Sequence, residues 1–235
     1  LDPLAQALRP DWYQEGDGRE FALMTGLTPT RIDDETALAR VGRGDIRLPF
    51  TLAEVLGGMG YDTMAFLPGS SRVPFYEAIG FHRVSVCTGG SGAMAEAAAG
   101  SLQRETPFLT VLILPGGDCG GALDRLLAAL EARDAWEEDT VLCLMTGNPQ
   151  GEHTAQLFLW AGDDLAGLTC EAPCTELDIL PTLLDLLGAP FDSRFLTGRD
   201  LFAGAGEDPD AAPLAVLYGS AYADWVTDRG CYIAA

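Results

Sequence analysis

The sequence predicts an α/β fold: a mostly parallel central sheet flanked by helices, with a small antiparallel extension at the C-terminus. Two patterns carry that expectation. Along most of the chain, short apolar runs bounded by turn residues alternate with segments of helical periodicity. That order gives parallel strands joined by helical crossovers. Past residue 213 the helices stop, and closely spaced strand-like segments follow one another with turn residues between them. At 235 residues the chain suffices for one large domain or two small ones. The expected division is a core over residues 1–203 and the strand extension over 204–235.

The elements follow in order. "PFTLAEVLGGMG" (residues 49–60) has apolar residues at helical spacing and stops on glycines. "YDTMAFLPG" reads as a short strand and "SRVPFYEAIGF" as a short helix. The Ala-rich "SGAMAEAAAGSLQRE" is helical and leads into "PFLTVLILPGG", a continuous apolar run typical of a strand covered on both faces. Residues 120–136 form the clearest amphipathic helix, with Leu123, Leu126, Leu127 and Leu130 on one side. "DTVLCLMTG" and "AQLFLWAG" are further strands, the first of them buried. "TELDILPTLLDLLGAP" is expected to be helical from about Asp178, with Pro181 in its first turn and Gly188 as its stop. "GAGEDPDAAP" (residues 204–213) is a loop by composition, and the tail to Ala235 carries two or three short strands.

Composition narrows the function classes. The chain is 48% hydrophobic and 21% charged, which is ordinary for a globular domain. No apolar run reaches the ~18–20 residues that span a bilayer, and no signal peptide is visible at "LDPLAQALRPDW". Acidic residues outnumber basic ones 35 to 14, giving a net charge of −21, and every basic residue is Arg. A field of that sign repels phosphate backbones, so nucleic acid is not expected as a partner. The six cysteines, Cys87, Cys119, Cys143, Cys170, Cys174 and Cys231, fit no zinc spacing. Cys143 lies in an apolar strand and reads as a buried thiol. Cys170 and Cys174 form a C-x3-C pair that would suit a disulfide in an oxidising compartment.

The order of these pieces is similar to a known family. "YDTMAFLPG", "FYEAIGF", "PFLTVLIL", "LDRLLAALEARDAWEEDTVLCLMTG", "LDILPTLLDLLGAP" and "FLTGRDLF" resemble successive landmarks of the sulfatase-like branch of the alkaline phosphatase superfamily. Within it the resemblance is greatest to the extracellular domain of lipoteichoic acid synthases and related phosphoglycerol transferases. It covers roughly Leu1 to Ile233, and "DILPTLLDLLG" followed by "GRDLF" is its most specific part. The resemblance implies a nucleophile, Thr or derived from Cys, at a helix N-terminus beside a divalent metal such as Mn²⁺, Mg²⁺ or Zn²⁺. It also implies a metal carboxylate after a first strand that would precede Leu1, an Asp-His ligand pair after a later strand, and His and Arg residues holding an anionic substrate.

Position by position, this sequence departs from that pattern. The nucleophile position in "YQEGDGREFALMTGLTPT" falls on Gly16 or Asp17, neither of which is Thr, Ser or Cys. The Asp-His pair falls on Asn148 and Pro149: a neutral amide and a side chain with no donor atom. His153 matches by its flanking residues and does not replace the lost ligand. The substrate histidine falls in "PGGDCGG", at Gly117 or Asp118. Arg72 is the only basic residue left in the shortened substrate loop, and His82 reads as a surface residue. Scaffold positions fit while chemistry positions depart together.

Three readings follow. The first is a catalytically degenerate sulfatase-like domain with no cofactor, serving as a binding or scaffolding module on the outer face of a bacterial membrane. Its partners would be a cell-wall polymer, a glycan or another protein, and it would reach the membrane only through an upstream segment. The second is an active metal-dependent phosphoglycerol transferase, phosphatase or sulfatase with rearranged ligands such as Asp17 and Asp118. The third is an intracellular structural protein.

Overall fold

A computed structural model describes residues 19–28, 32–48, 50–134, 136–146, 156–162, 165, 174–202, 215–218, 223–227 and 230–234. The elements run α1 (Arg19–Thr25), α2 (Asp34–Gly42), α3 (Leu52–Gly58), β1 (Asp62–Leu67), α4 (Val73–Ala78), β2 (Arg83–Val86), α5 (Gly90–Leu102), β3 (Phe108–Leu112), α6 (Cys119–Glu131) and α7 (Trp136–Asp139). Then come β4 (Leu142–Thr146), β5 (Gln156–Trp160), α8 (Glu176–Leu186), a 3-10 turn (Ser193–Phe195), β6 (Ala215–Tyr218), β7 (Ala223–Thr227) and β8 (Gly230–Ala234). They fall into two compact units, Leu38–Trp136 and the remainder. Among the described residues, no helix is long and apolar enough to cross a membrane.

In the unit Leu38–Trp136, β1 is the central strand of a three-stranded parallel sheet with order β2-β1-β3. Met64 stands opposite Arg83 on one side and Thr110 on the other. Met64 and Phe66 of β1 pack with Met94 and Ala98 of α5, and Leu112 and Leu126 close the cluster. α3 is fixed at its start by Thr51, whose Oγ1 accepts from Glu54 N at 3.2 Å and donates to the carbonyl of Ile79. Pro74 opens α4, where a missing N–H costs nothing. The rings of Phe75 and Tyr76 are fully buried, and Tyr76 meets Phe75 and Phe81 edge-on at 5.4 and 5.3 Å. At the amino end of the sheet, Asp62 accepts from both Arg83 and Arg104. Arg133 donates to the carbonyls of Leu102 and Arg104 and lies over the Phe108 ring at 5.1 Å.

Two details correct the sequence reading here. β3, expected to be covered on both faces, is only partly buried along its length; among the described residues it pairs with β1 alone. The amphipathic helix ends at Glu131 rather than continuing to Trp136, which opens a separate four-residue helix.

In the other unit, β4 and β5 form an antiparallel pair with Leu142 opposite Trp160. Two apolar clusters hold the unit. Leu157, Cys174 and Ile179 pack with Leu23 and Cys143, and Leu159, Ala161 and Leu165 pack with Val141, Leu186 and Phe202. β4, expected to be buried, is partly so from Leu142 to Met145. β6, β7 and β8 form the expected antiparallel extension, with Trp225 of β7 between Val216 and Tyr232.

α8 is organised by one buried carboxylate. Asp178 is 3% exposed; its Oδ2 accepts from Thr175 N and its Oδ1 from Arg199 N, each at 2.9 Å. With Thr175 it forms a capping box, so the helix starts at Glu176, two residues before the expected start. Pro181 therefore lies inside the helix rather than in its first turn. Its missing N–H leaves the Leu177 carbonyl without the usual i+4 donor. Gly198 comes to rest against that carbonyl: a Cβ there would press into it and approach Asp178 N within 2.7 Å. Thr182 extends the tie, donating to Asp178 O at 2.6 Å and accepting from Leu201 N at 3.0 Å. The helix ends as expected at Gly188, φ +60°, in a Schellman turn with Ala189 N on Leu184 O at 2.8 Å.

Burial raises the Asp178 carboxyl above its ordinary value of 3.8, against the lowering pull of its two backbone donors and Arg199. As pH rises, the unfolded chain therefore loses this proton first. The carboxyl's contribution to stability is full below 3.8 and declines as pH climbs through the raised folded value. Asp178→Ala leaves two buried N–H groups unpaired and should cost about 2–4 kcal/mol in urea unfolding. The difference from the unsubstituted protein should be largest in acid and smaller toward neutrality.

Candidate functional site

In an open parallel sheet, ligands bind outside the carboxyl ends of the strands. In the unit Leu38–Trp136, β1 leads there into Arg72, β2 into the start of α5, and β3 into Asp118 and the start of α6. Of the positions singled out in the sequence, Arg72 and Asp118 thus follow carboxyl ends of this sheet. Gly16, Asp17, Asn148, Pro149 and His153 lie outside the described residues, as does Cys170.

Asp118 is the N-cap of α6. Its exposed side chain accepts from Gly121 N through Oδ1 at 2.9 Å. A carboxylate seated there satisfies the helix's orphan donors and faces the positive end of its dipole. It fills with the protein's own negative charge a place where a free anion would otherwise bind. Arg72, half-buried, is the residue before α4; its carbonyl accepts from Phe75 N and Tyr76 N at 3.1 and 3.2 Å.

The starts of α5 and α6 are tied together. Ser91, 4% exposed, donates through Oγ to Gly116 O at 2.7 Å and lies 3.9 Å from Cys119 Sγ. The sequence reading did not single out Ser91; the one signal was the run of glycines around it in "TGGSG". The thiols vary in setting. Cys87 and Cys119 are half-buried, Cys174 is fully buried, and burial pushes the Cys143 thiol up to about 12 although its residue keeps some accessible surface. Cys143 packs against both apolar clusters of its unit. His82 is exposed, as expected, at the residue before β2.

No family model and no curated protein matches the sequence. Solved structures do. An alkaline phosphatase superfamily protein from Vibrio parahaemolyticus matches 99% of this chain and 70% of its own, at 16% identity and a TM-score of 0.75. The lipoteichoic acid synthase LtaP from Listeria monocytogenes matches 99% and 79%, at 13% identity and a TM-score of 0.68. Phosphonate monoester hydrolase of Agrobacterium radiobacter matches 99% and 82%, at 13% identity and a TM-score of 0.59. The fold is therefore that of the alkaline phosphatase superfamily. Within it the likeness extends to a lipoteichoic acid synthase and to sulfatase and phosphonate hydrolase structures.

Because Asp118 caps α6, Asp118→Ala should cost about 1 kcal/mol in thermal or urea unfolding. Asp118→Asn should recover most of that loss, because an amide oxygen caps nearly as well.

Proposed function

We propose that this chain is a catalytically inactive domain with the sulfatase-like fold. In this reading it acts as a binding or scaffolding module at the outer face of a bacterial cell membrane. The observation that carries the reading is the pair Asn148-Pro149 in "TGNPQG", where the resemblance implies Asp-His. A hard divalent cation takes charged oxygen donors, and imidazole is the usual nitrogen donor. A neutral amide followed by proline supplies neither, so the donor set does not fit the metal. Two further observations support the reading. Gly16 and Asp17 stand where a hydroxyl or thiol nucleophile belongs, and Asp118 is occupied as the cap of α6. Retained scaffold with altered site residues suits a domain that is kept for what it binds. A cell-wall polymer, a glycan or a partner protein are the ligands such a module would meet there.

The test combines metal content with turnover. After incubation with Mn²⁺, Mg²⁺ or Zn²⁺ and desalting, elemental analysis should find less than stoichiometric metal. Nitrophenyl phosphate and nitrophenyl sulfate should turn over no faster than in buffer. Tight stoichiometric metal together with turnover of either ester would overturn the reading and favour the rearranged-ligand enzyme.

A further inference from the structure

The charge of this chain is divided unevenly between its two units. Leu38–Trp136 carries 8 of the 14 basic residues and 10 of the 35 acidic ones, a net of −2. The remainder, Leu1–Ala37 and Glu137–Ala235, is left with 6 basic and 25 acidic residues, so −19 of the total −21 falls there. Nothing in the proposed function depends on this division, and the inference stands independently of that reading.

In the nearly neutral unit the charges are arranged to attract. Asp62 takes both Arg83 and Arg104, and Arg43 pairs with Asp45 at 3.1 Å. Exposed pairs of this kind contribute little, and salt screens the little they contribute. Added salt therefore has slight leverage on this unit, and what it has is unfavourable.

The acidic unit has the opposite balance. Two of its arginines are already committed: Arg194 to Asp192 at 2.6 Å, and Arg199 to the buried carboxyl of Asp178 on which its charge acts. The few basic residues that are left cannot offset so many carboxylates. α8 shows the consequence locally. Its last turn carries Asp185 and no basic residue, and negative charge at that end opposes the helix dipole. Asp185 is exposed, as are Glu138 and Asp139, so counter-ions reach all three. A compact unit with net charge far from zero is destabilised by its own repulsion. That repulsion acts between exposed groups, which is where salt screens best.

We propose that screening salt stabilises the acidic unit and leaves the unit Leu38–Trp136 almost unchanged, so that ionic strength sets how tightly one part of the fold is held. The test is amide hydrogen exchange of the full chain at neutral pH, read by mass spectrometry of its peptides. The two conditions are about 0.1 M and about 1 M KCl, between which the Debye length falls from about 10 Å to about 3 Å. Protection in β4, β5 and α8 should rise about tenfold, while β1, β3 and α5 should change less than about twofold. Glu138→Lys with Asp185→Lys reverses charge at two exposed positions of the acidic unit, taking its net charge from −19 to −15. Self-repulsion grows roughly as the square of the charge, so the rise should then shrink to about fivefold. Glu96→Lys with Glu131→Lys makes the same change at exposed positions of the other unit and should leave the tenfold rise of the acidic unit as it is. If either double variant fails to fold, the comparison between the two units of the unsubstituted chain decides alone. An equal rise in both units would overturn the proposal, because salt would then be strengthening apolar burial in general. So would an unchanged or falling protection of α8, or an equal effect of the two double variants.

Discussion

The carboxylate of Asp178 joins the parts of the chain that make its fold recognisable. One oxygen holds the start of α8 through Thr175 N, and the other holds the returning segment through Arg199 N. Leu201 N is held one turn further along by Thr182. Thr197 N bonds Gly26 O at 3.1 Å, which brings the turn after α1 to the same place. Gly26 fits there because a Cβ would lie 2.6 Å from Leu196 and 3.0 Å from Leu180. "MTGL", "DILPTLL" and "LTGRDLF" are distant in sequence but form one packed, hydrogen-bonded cluster. Its glycines sit where no Cβ fits, Gly26 against the Leu196 and Leu180 side chains and Gly198 against the Leu177 backbone.

The unit Leu38–Trp136 is held differently. Its parallel sheet is secured at the amino ends by Asp62 with Arg83 and Arg104, and by Arg133 on two carbonyls and the Phe108 ring. These guanidiniums are partly exposed, so their pairing with Asp62 contributes modestly, on the scale of about 1 kcal/mol per pair or less. Apolar burial supplies more, with Phe75, Tyr76, Met94 and Leu67 all essentially removed from solvent. The charges position the loops while the apolar side chains stabilise them.

Much of this was legible in the sequence because it depends on local periodicity. The helices over residues 52–58, 73–78 and 90–102, the strand over 62–67 and the terminal antiparallel strands all follow from patterning and turn residues, whereas the mostly exposed strand over 83–86 was not read. The start of α8 was misjudged although its signal was present: Thr175 and Asp178 have the spacing of a capping box. Pro181 points instead to a later start, since proline is favoured in a helix's first turn. The burial of β3 and β4 was overestimated because an apolar run does not say how many neighbours a strand has. Asp118 was legible as a position but not as the cap of α6, a role fixed by its hydrogen bond from Gly121 N.

Scaffold and chemistry place their demands on different residues in this fold. The scaffold depends on buried side chains and on backbone contacts such as that of Gly198 with Leu177, where almost any substitution creates a clash or an orphaned donor. A metal corner depends on a few donor atoms at strand ends, and replacing them need not disturb the packing beneath. Asp118 illustrates the exchange. A carboxylate there stabilises α6 by capping it, and the helix N-terminus is then no longer open to an anion. A carboxylate at such a position serves the fold and occupies the helix N-terminus at once. Asp178, Thr182 and Gly198 answer to packing around α8, through the N–H groups of Thr175, Arg199 and Leu201 and the Leu177 carbonyl.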